Sequence, residues 1–449
     1  MTMPMDLSDR KGRLALRVAA VLRDHGHTAL FAGGSVRDHL MGKKPEDIDV
    51  ATSARPDEVE KLFKKTIPVG KQFGVVLVVE DEVTFEVATF RAEGGYEDGR
   101  HPTRIAFTVP EEDARRRDFT VNGLFYDPFK KEILDFVGGQ ADLSQKVIRA
   151  IGDPEERFRE DKLRLLRAVR FASTLGFEIE TKTWNAVRAH AADIHEVSPE
   201  RIREELVKIF TRQGAERGFV LLRESGLMKE ILPEIEAMKG VEQPAQFHPE
   251  GDVFEHTRLL FAHLRPPVSE VLAFSALFHD VGKPGTQAVR KGRLTFYEHS
   301  EEGAKLARDI MKRLKFPNAT TDAVYECVLN HMKFMNVKKM RSGKLKMFLL
   351  RPTFAEEMEL HRADCLASHG MLDNYEFLQE KLKEYAHEEL KPKPFINGND
   401  LIAMGMPAGP AMKPVLEEAY ELQLEKTLTD REASLAWARQ KIASMKSQS

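Results

Sequence analysis

With 449 residues, 42% of them hydrophobic and 31% charged, the chain has an ordinary soluble composition and room for about two to four domains. A net charge of −3 argues against a general nucleic-acid binder, and only two cysteines, Cys327 and Cys365, exclude a disulfide framework. No run approaches the apolar length of a membrane span, and the opening MTMPMDLSDRKGRL lacks the apolar core of a signal peptide, so a cytoplasmic location without a membrane partner is expected.

Residues 10–26 have helical spacing, with Leu14, Leu16, Val18, Val21 and Leu22 on the apolar face. Residues 28–34 read as a strand running into a glycine turn. GVVLVVEDEVTFEVATF reads as a hairpin with Glu80 to Glu82 at its turn, and residues 132–137 add a strand. These elements predict a small α/β head over 1–145. From Pro154 to Met238 the pattern is helical, with Leu163, Leu166, Val169, Phe171 and Leu175 apolar, so 146–243 is expected to be a helical neck. In VSPERIREELVKIF, Ser198 is placed to cap a helix with Pro199 at its first position. VEQPAQFHPEG reads as a linker. Helical spacing resumes, giving a further helical domain over 244–388. PKPFINGNDLIAMGMPAGP then breaks the pattern, and a helical tail completes 389–449.

The richest stretch is FAGGSVRDHLMGKKPEDIDVAT, Phe31 to Thr52. Asp47 and Asp49 alternate in a β-prone context and so are expected to share a strand face. Paired carboxylates repel unless a cation lies between them, and oxygen-only ligation suits Mg²⁺. The Gly33–Gly34 turn brings backbone within reach of a phosphate. A glycine turn followed by a solvated acidic strand accounts for either feature alone. Both within one short unit point to two-metal nucleotidyl transfer. Glu86 stands as a third carboxylate or as a partner for Arg91. Arg37 stands as a triphosphate ligand or as an ion pair with Asp38. The basic clusters Arg115-Arg116-Arg117, Arg159 to Arg170 and Lys338 to Lys346 are each also explained as solvated helix faces.

GGSVRD, PEDIDVAT, EVATFR, YEDGRHP, RRDFTVNG, EDKLRLLRAVRF and SPERIREEL occur in that order. Over about its first 240 residues the chain therefore resembles the class II tRNA nucleotidyltransferases and bacterial poly(A) polymerases, within the polymerase-β-like superfamily. The resemblance implies an α/β nucleotidyltransferase head followed by an all-α neck that binds RNA over 146–243, a body and a further domain. It implies Asp47 and Asp49 as catalytic metal ligands, and Gly33, Gly34, Ser35 and Arg37 around the triphosphate. It carries Arg116, Asp118 and Asn122 over to ribose and triphosphate, and it makes residues 94–107 a mobile loop that favours adenosine addition.

Asp161 and Arg164, three apart, are expected on one helix face, as an intrahelical salt bridge or as a protein template for a base. Cytosine and adenine both offer an amino donor beside a ring-nitrogen acceptor, matching a carboxylate beside a guanidinium. Guanine and uracil reverse that order and leave both charges badly paired, a mismatch worth ~10⁴-fold or more. Arg167 and Arg170 continue this side and are expected to hold phosphates or stack on the base.

His256, His279-Asp280, His299, His331 and Asp364 fall on separate predicted helices. A single such histidine is usually a core residue. Five spaced elements suit a transition metal or a di-metal hydrolytic centre. Over roughly 245–370 their order resembles the HD-type metal phosphohydrolases, and Lys283 stands ready for a phosphate. The combined expectation is Mg²⁺-dependent, template-independent addition of CMP and AMP from CTP and ATP to the tRNA 3′ end, with no obligate protein partner. The alternatives are an A-adding tRNA nucleotidyltransferase, a poly(A) polymerase, or an HD phosphohydrolase whose head only binds RNA.

Overall fold

The computed structural model describes residues 4–446 apart from 69, 70, 97–101, 245, 247 and 386–391, and divides into two compact units, Met1–Glu236 and Ala237–Ser449. In the first unit, β1 (Ala29–Ala32), β2 (Asp49–Thr52), β3 (Thr66–Ile67), β4 (Val75–Glu80) and β5 (Val83–Thr89) precede a separate hairpin of β6 (Arg91–Tyr96) and β7 (Pro102–Phe107). Strands β8 (Leu124–Asp127) and β9 (Glu132–Asp135) complete a seven-stranded sheet of order β3-β4-β5-β2-β1-β8-β9. Only β2 and β5 run parallel; the other neighbours are antiparallel. The β4–β5 turn places Asp81 and Glu82 at φ 46° and 66°, the left-handed pair that a two-residue hairpin turn demands. The tip of the expected mobile loop, residues 97–101, lies outside the described residues.

The pleat divides the sheet into two faces. Phe31, Val50, Val76, Val78, Phe85 and Val87 bury against Leu14, Val18 and Leu22 of the helix Arg10–Asp24. That helix starts where the Asp9 side chain accepts from the Gly12 N–H. The other face carries Leu30, Ala32 and Ala51 with Phe90, Ala114 and Phe125, leaving the ends of β2 and β5 open to a cleft.

Behind the sheet, the helix Leu163–Leu175 is buried on almost every side, with Leu165, Leu166, Ala168, Val169 and Ala172 fully enclosed. A buried leucine contributes ~1.5–3 kcal/mol, so this helix anchors the arginines it presents to the cleft. It packs against Pro199–Thr211 and Ala215–Glu224. Pro199 is the first residue of its helix as expected, but the Ser198 side chain makes no capping bond.

The second unit is helical apart from a short hairpin, Ala288–Arg290 with Arg293–Thr295, which the helical reading of 252–388 did not foresee. Its final helices, Gly398–Ala403, Met412–Leu424 and Arg431–Lys446, enclose Leu401, Val415, Ala438 and Ile442 as a core of their own. The division between units falls after Glu236 rather than at the expected 243/244 boundary. The reason is visible below: Gln243, His248 and Glu250 pack against the histidine cluster. Among the described residues no helix is long and apolar enough to cross a membrane.

Candidate active site and metal centre

A cleft of about 920 Å³ opens on the polar face of the sheet. Core valines Val50 and Val87 are register partners on β2 and β5. One residue earlier on each strand the chain must face the other way, which puts Asp49 and Glu86 side by side on the cleft floor. Glu86 thus lines the cleft with the two aspartates. Crowding by the surrounding protein, then the charge of Glu86 and that of Asp47, pushes the Asp49 carboxyl up to about 6, although Arg117 and Lys11 work against the shift.

Asp47 corrects one expectation. It precedes β2, which begins at Asp49, so the two aspartates are not alternate residues of one strand. Asp47 reaches the cleft from the approaching segment, with 83% of its side chain exposed and Oδ1 accepting from Lys11 Nζ at 2.5 Å. The donor set, three carboxylates open to solvent, fits a hard divalent cation.

Gly33 turns the chain at φ 65°, and a Cβ there would lie 3.0 Å from Arg117 Nη1. Its own N–H is taken by the Leu124 carbonyl, and both Gly33 and Gly34 line the cleft. Ser35 departs from its expected place: it is buried, and its hydroxyl donates back to the Ala32 carbonyl at 3.0 Å, fastening the turn.

A hydrogen-bonded chain crosses the cleft wall. Arg37 Nη1 donates to Asn122 Oδ1 at 2.7 Å, Asn122 Nδ2 to Asp118 Oδ1 at 3.1 Å, and Arg167 Nε to Asp118 Oδ2 at 2.7 Å. Arg37 also pairs with Asp38 at 2.7 Å, so the expected ion pair coexists with a cleft contact. Burial opposes ionisation of Asp118, but Arg167 and Asn122 bring its carboxyl down to about 2. Arg116 and Arg117 share Asp113 between them. Arg170 lies 3.8 Å over the Phe171 ring and pairs with buried Glu205.

The depressed Asp118 pKa carries a stability consequence. Its stabilisation is complete above the ordinary value of 3.8 and is lost as pH falls towards about 2. Asp118→Asn is expected to cost about 2 kcal/mol at neutral pH, with the gap to wild type closing between about pH 4 and pH 2. Urea unfolding across that range measures it; a pH-independent gap would contradict the assignment.

Asp161 and Arg164 supply the second correction. The helix Pro154–Glu160 ends at Asp161, whose φ and ψ of −142° and 104° are extended, and a new helix begins at Leu163. The pair therefore does not share a helix face. Asp161 accepts from Arg201 Nη2 at 2.9 Å, and Arg164 donates to Glu160 Oε2 at 2.8 Å and to the Arg116 carbonyl at 2.9 Å. Both still line the cleft, together with Arg167, Arg170 and Arg201.

In the second unit the predicted metal ligands converge. His256 comes from Val253–His263, His279 and Asp280 follow Glu270–Phe278, His299 opens its helix, His331 follows Asn318–Asn330, and Asp364 lies on Phe354–Ala367. Gly282 permits this: a Cβ there would lie 2.2 Å from the His299 carbonyl oxygen, so only glycine lets the two segments meet. His279, His299 and His331 each turn Nδ1 to a backbone carbonyl three residues earlier, at 2.9, 2.7 and 2.6 Å. That contact fixes the tautomer and leaves Nε2 facing inward as a ligand.

Asp280 stands between two groups of donors. Its Oδ2 lies 3.2 Å from His279 Nε2, and its Oδ1 lies 3.6 and 3.9 Å from those of His299 and His331. His256 Nε2 is 3.0 Å from Asp364 Oδ1. Burial opposes ionisation of Asp280, yet His279 and Lys283 hold its carboxyl well below the usual range. Burial and His299 push His331 down to about 3, keeping its imidazole neutral and able to ligate. Burial also works against a charge on His256, but Asp364 and Glu250 raise it to about 9. Two neighbouring nitrogen and oxygen donor sets sharing one carboxylate fit a pair of transition-metal ions.

Sequence reasoning held Arg117 only in a basic cluster, noted Glu160 beside Asp161 without a role, and missed Arg201 and the group Gln243, His248 and Glu250. HPEGD, with a histidine and two acids beside the first ligand helix, was the available signal for the last group.

The sheet, the glycine turn and the clustered carboxylates define a nucleotidyltransferase head carried on a largely helical body. Residues 29–149 match the poly A polymerase head domain, residues 176–239 the probable RNA and SrmB-binding site of polymerase A, and residues 252–368 the HD domain. Over these three segments, in this order, the chain is similar to the poly A polymerase head, its RNA-binding region and the HD domain, the last lying in the second unit. It is similar to the CCA-adding enzyme of Bacillus velezensis, 44% identical over 218 residues, which are 48% of this chain and 55% of that protein. The CCA-adding enzyme of Staphylococcus aureus is 46% identical over 199 residues, 44% of this chain and 50% of that one. The chain spans about half the length of these curated relatives. The Bacillus stearothermophilus CCA-adding enzyme, solved in complex with CTP, is 28% identical with a TM-score of 0.75, covering 98% of this chain and 100% of that one. A Thermotoga maritima CCA-adding enzyme solved with tRNA shares the fold at 19% identity and a TM-score of 0.58, covering 98% of this chain and 97% of that one.

Proposed function

We propose that the chain adds CMP and AMP to the 3′ end of tRNA, using CTP and ATP and no nucleic-acid template. The observation that carries this reading is a single cleft containing a glycine turn, three carboxylates, the Arg37–Asn122–Asp118–Arg167 chain and the Asp161 and Arg164 side chains. Gly34, Arg37 and Arg167 hold the triphosphate, and Asp118 and Asn122 orient the ribose. Asp161 accepts from the amino group of cytosine or adenine while Arg164 donates to the ring nitrogen beside it. The same two side chains misalign with guanine and uracil. Asp47, Asp49 and Glu86 would hold Mg²⁺, and that ion when bound would supply activation of the RNA hydroxyl and charge neutralisation at the leaving diphosphate.

The test uses tRNAs lacking three, two or one of the terminal CCA residues, each offered all four nucleoside triphosphates. Cytidine on the first two and adenosine on the third supports CCA addition. Adenosine on the last substrate alone supports the A-adding alternative, and adenosine runs on any 3′ end support a poly(A) polymerase. The buried free cysteines, Cys327 and Cys365, support a cytoplasmic location.

For the HD unit we propose a metal-dependent phosphohydrolase. His256, His279 and Asp364 would hold one transition-metal ion, and Asp280, His299 and His331 a second. Two such ions, when bound, supply a polarised water and stabilise charge on phosphorus. His279→Ala with Asp280→Ala is expected to abolish metal uptake and phosphoester hydrolysis while tRNA extension continues, since every proposed addition residue lies in the first unit. Metal analysis alongside the extension assay checks both halves. Lost extension in a folded double variant would contradict the division of labour.

A further inference from the structure

The segment that composition marks as a linker reaches into the HD cluster. Glu250 Oε1 accepts from His248 Nδ1 at 2.9 Å and from His256 Nδ1 at 2.6 Å, and the His248 ring meets His256 edge-on at 5.0 Å. Gln243, only 8% exposed, accepts through Oε1 from Lys283 Nζ at 2.6 Å. An ammonium can only donate, so this bond fixes which end of the amide faces Lys283. Gln243 Nε2, with two N–H donors, is left buried and without a hydrogen-bond partner among the described residues. Lys283, also buried, donates to Asp280 Oδ2 at 2.7 Å. A buried ammonium thus bonds at once to Asp280, one of the predicted metal ligands, and to the amide whose own donor is unpartnered.

Fixed N–H donors next to paired metal ligands suit a tetrahedral oxyanion. We propose that Gln243, together with Lys283, forms a subsite for the phosphoryl group of a phosphoester, with Gln243 Nε2 the specificity-determining donor. The proposal rests on the HD unit acting as a phosphohydrolase. A single buried water would satisfy the same amide, and then Gln243 would serve only to hold Lys283.

Two variants of the full chain separate these roles. Gln243→Glu keeps an acceptor for Lys283 but turns an oxygen, not an N–H, towards the anion. Gln243→Ala removes both. Inorganic phosphate binding is measured by calorimetry with and without Mn²⁺, metal content by elemental analysis, and hydrolysis with p-nitrophenyl phosphate. With metal content unchanged, phosphate affinity is expected to fall about tenfold in Gln243→Ala and further in Gln243→Glu. A purely structural role gives the opposite order, with Gln243→Glu close to wild type, and that order overturns the proposal. So does a wild type that takes up Mn²⁺ but binds no phosphate. Phosphate binding that depends on Gln243, without hydrolysis of any phosphoester, leaves the subsite standing and removes the phosphohydrolase reading. Phosphate binding without phosphoester binding assigns the subsite to the free anion.

Discussion

Asp49→Asn is expected to lower nucleotide addition by about 10³-fold or more, close to 4 kcal/mol of transition-state stabilisation, without lowering the melting temperature at neutral pH. The two halves have one cause. The cleft walls, then Glu86 and Asp47, raise the Asp49 carboxyl to about 6 and disfavour its charged form, although the side chain stays open to solvent at the start of β2. A raised carboxyl weakens the native state as pH rises from about 4 to about 6. Asparagine keeps the shape and removes the charge, so the variant should lack that pH-dependent loss. Scanning calorimetry at pH 4.5 and 7.5, beside single-turnover extension under saturating Mg²⁺, tests the prediction. A melting temperature well below wild type at pH 7.5 would mean that Asp49 supports the fold, and near-normal extension would remove it from the catalytic set.

The second large effect concerns base choice. Asp161→Ala and Arg164→Ala are each expected to erode discrimination against UTP and GTP by about two orders of magnitude, with a smaller loss in binding of the triphosphate. Arg201→Ala should follow Asp161→Ala rather than Arg164→Ala, since Arg201 holds the Asp161 carboxylate at 2.9 Å and Arg164 is held elsewhere. Removing that charged bond is worth about 1.5–3 kcal/mol, so a loss of about tenfold or more in selectivity is expected from a residue that need not touch the base. Rates of incorporation for all four nucleotides give the result. Wild-type selectivity in Arg201→Ala would show that Asp161 needs no such support. Wild-type selectivity in both Asp161→Ala and Arg164→Ala would place the base reader elsewhere.

Much of the head was legible because its chemistry is local. A glycine turn, two nearby aspartates and an Arg-Asp-Asn run each lie within a few residues, and the structure brings them to one cleft. What escaped depends on partners far away in the chain. Asp161 and Arg164 suggested a pair three residues apart, whereas the partner of Asp161 lies 40 residues on, in another helix. The alternation around Asp47 read as strand because it could not register Lys11, 36 residues earlier, drawing that carboxylate aside. Glu86 remained open because alternation gives the face of a residue but not its neighbouring strand, which the β2–β5 register supplies. In the second unit the histidine spacing was informative, because each ligand comes from its own helix or from the residues directly beside one. The Pro- and Gly-bearing segment before them has loop composition, which says nothing about what a loop touches.

The helix break at Asp161 has a consequence for how base preference can drift between generations. On one continuous helix, the carboxylate and the guanidinium would be locked in phase, and any backbone adjustment would move both. Here each has its own mooring, Arg201 for one and Glu160 for the other. A single substitution at either mooring shifts one hydrogen bond and spares its neighbour. The path from a reader of two bases to a reader of one is then short and passes through folded, working intermediates. Laboratory selection for adenosine-only or cytidine-only variants should therefore collect its first changes at Arg201 and Glu160, before touching Asp161 or Arg164 themselves.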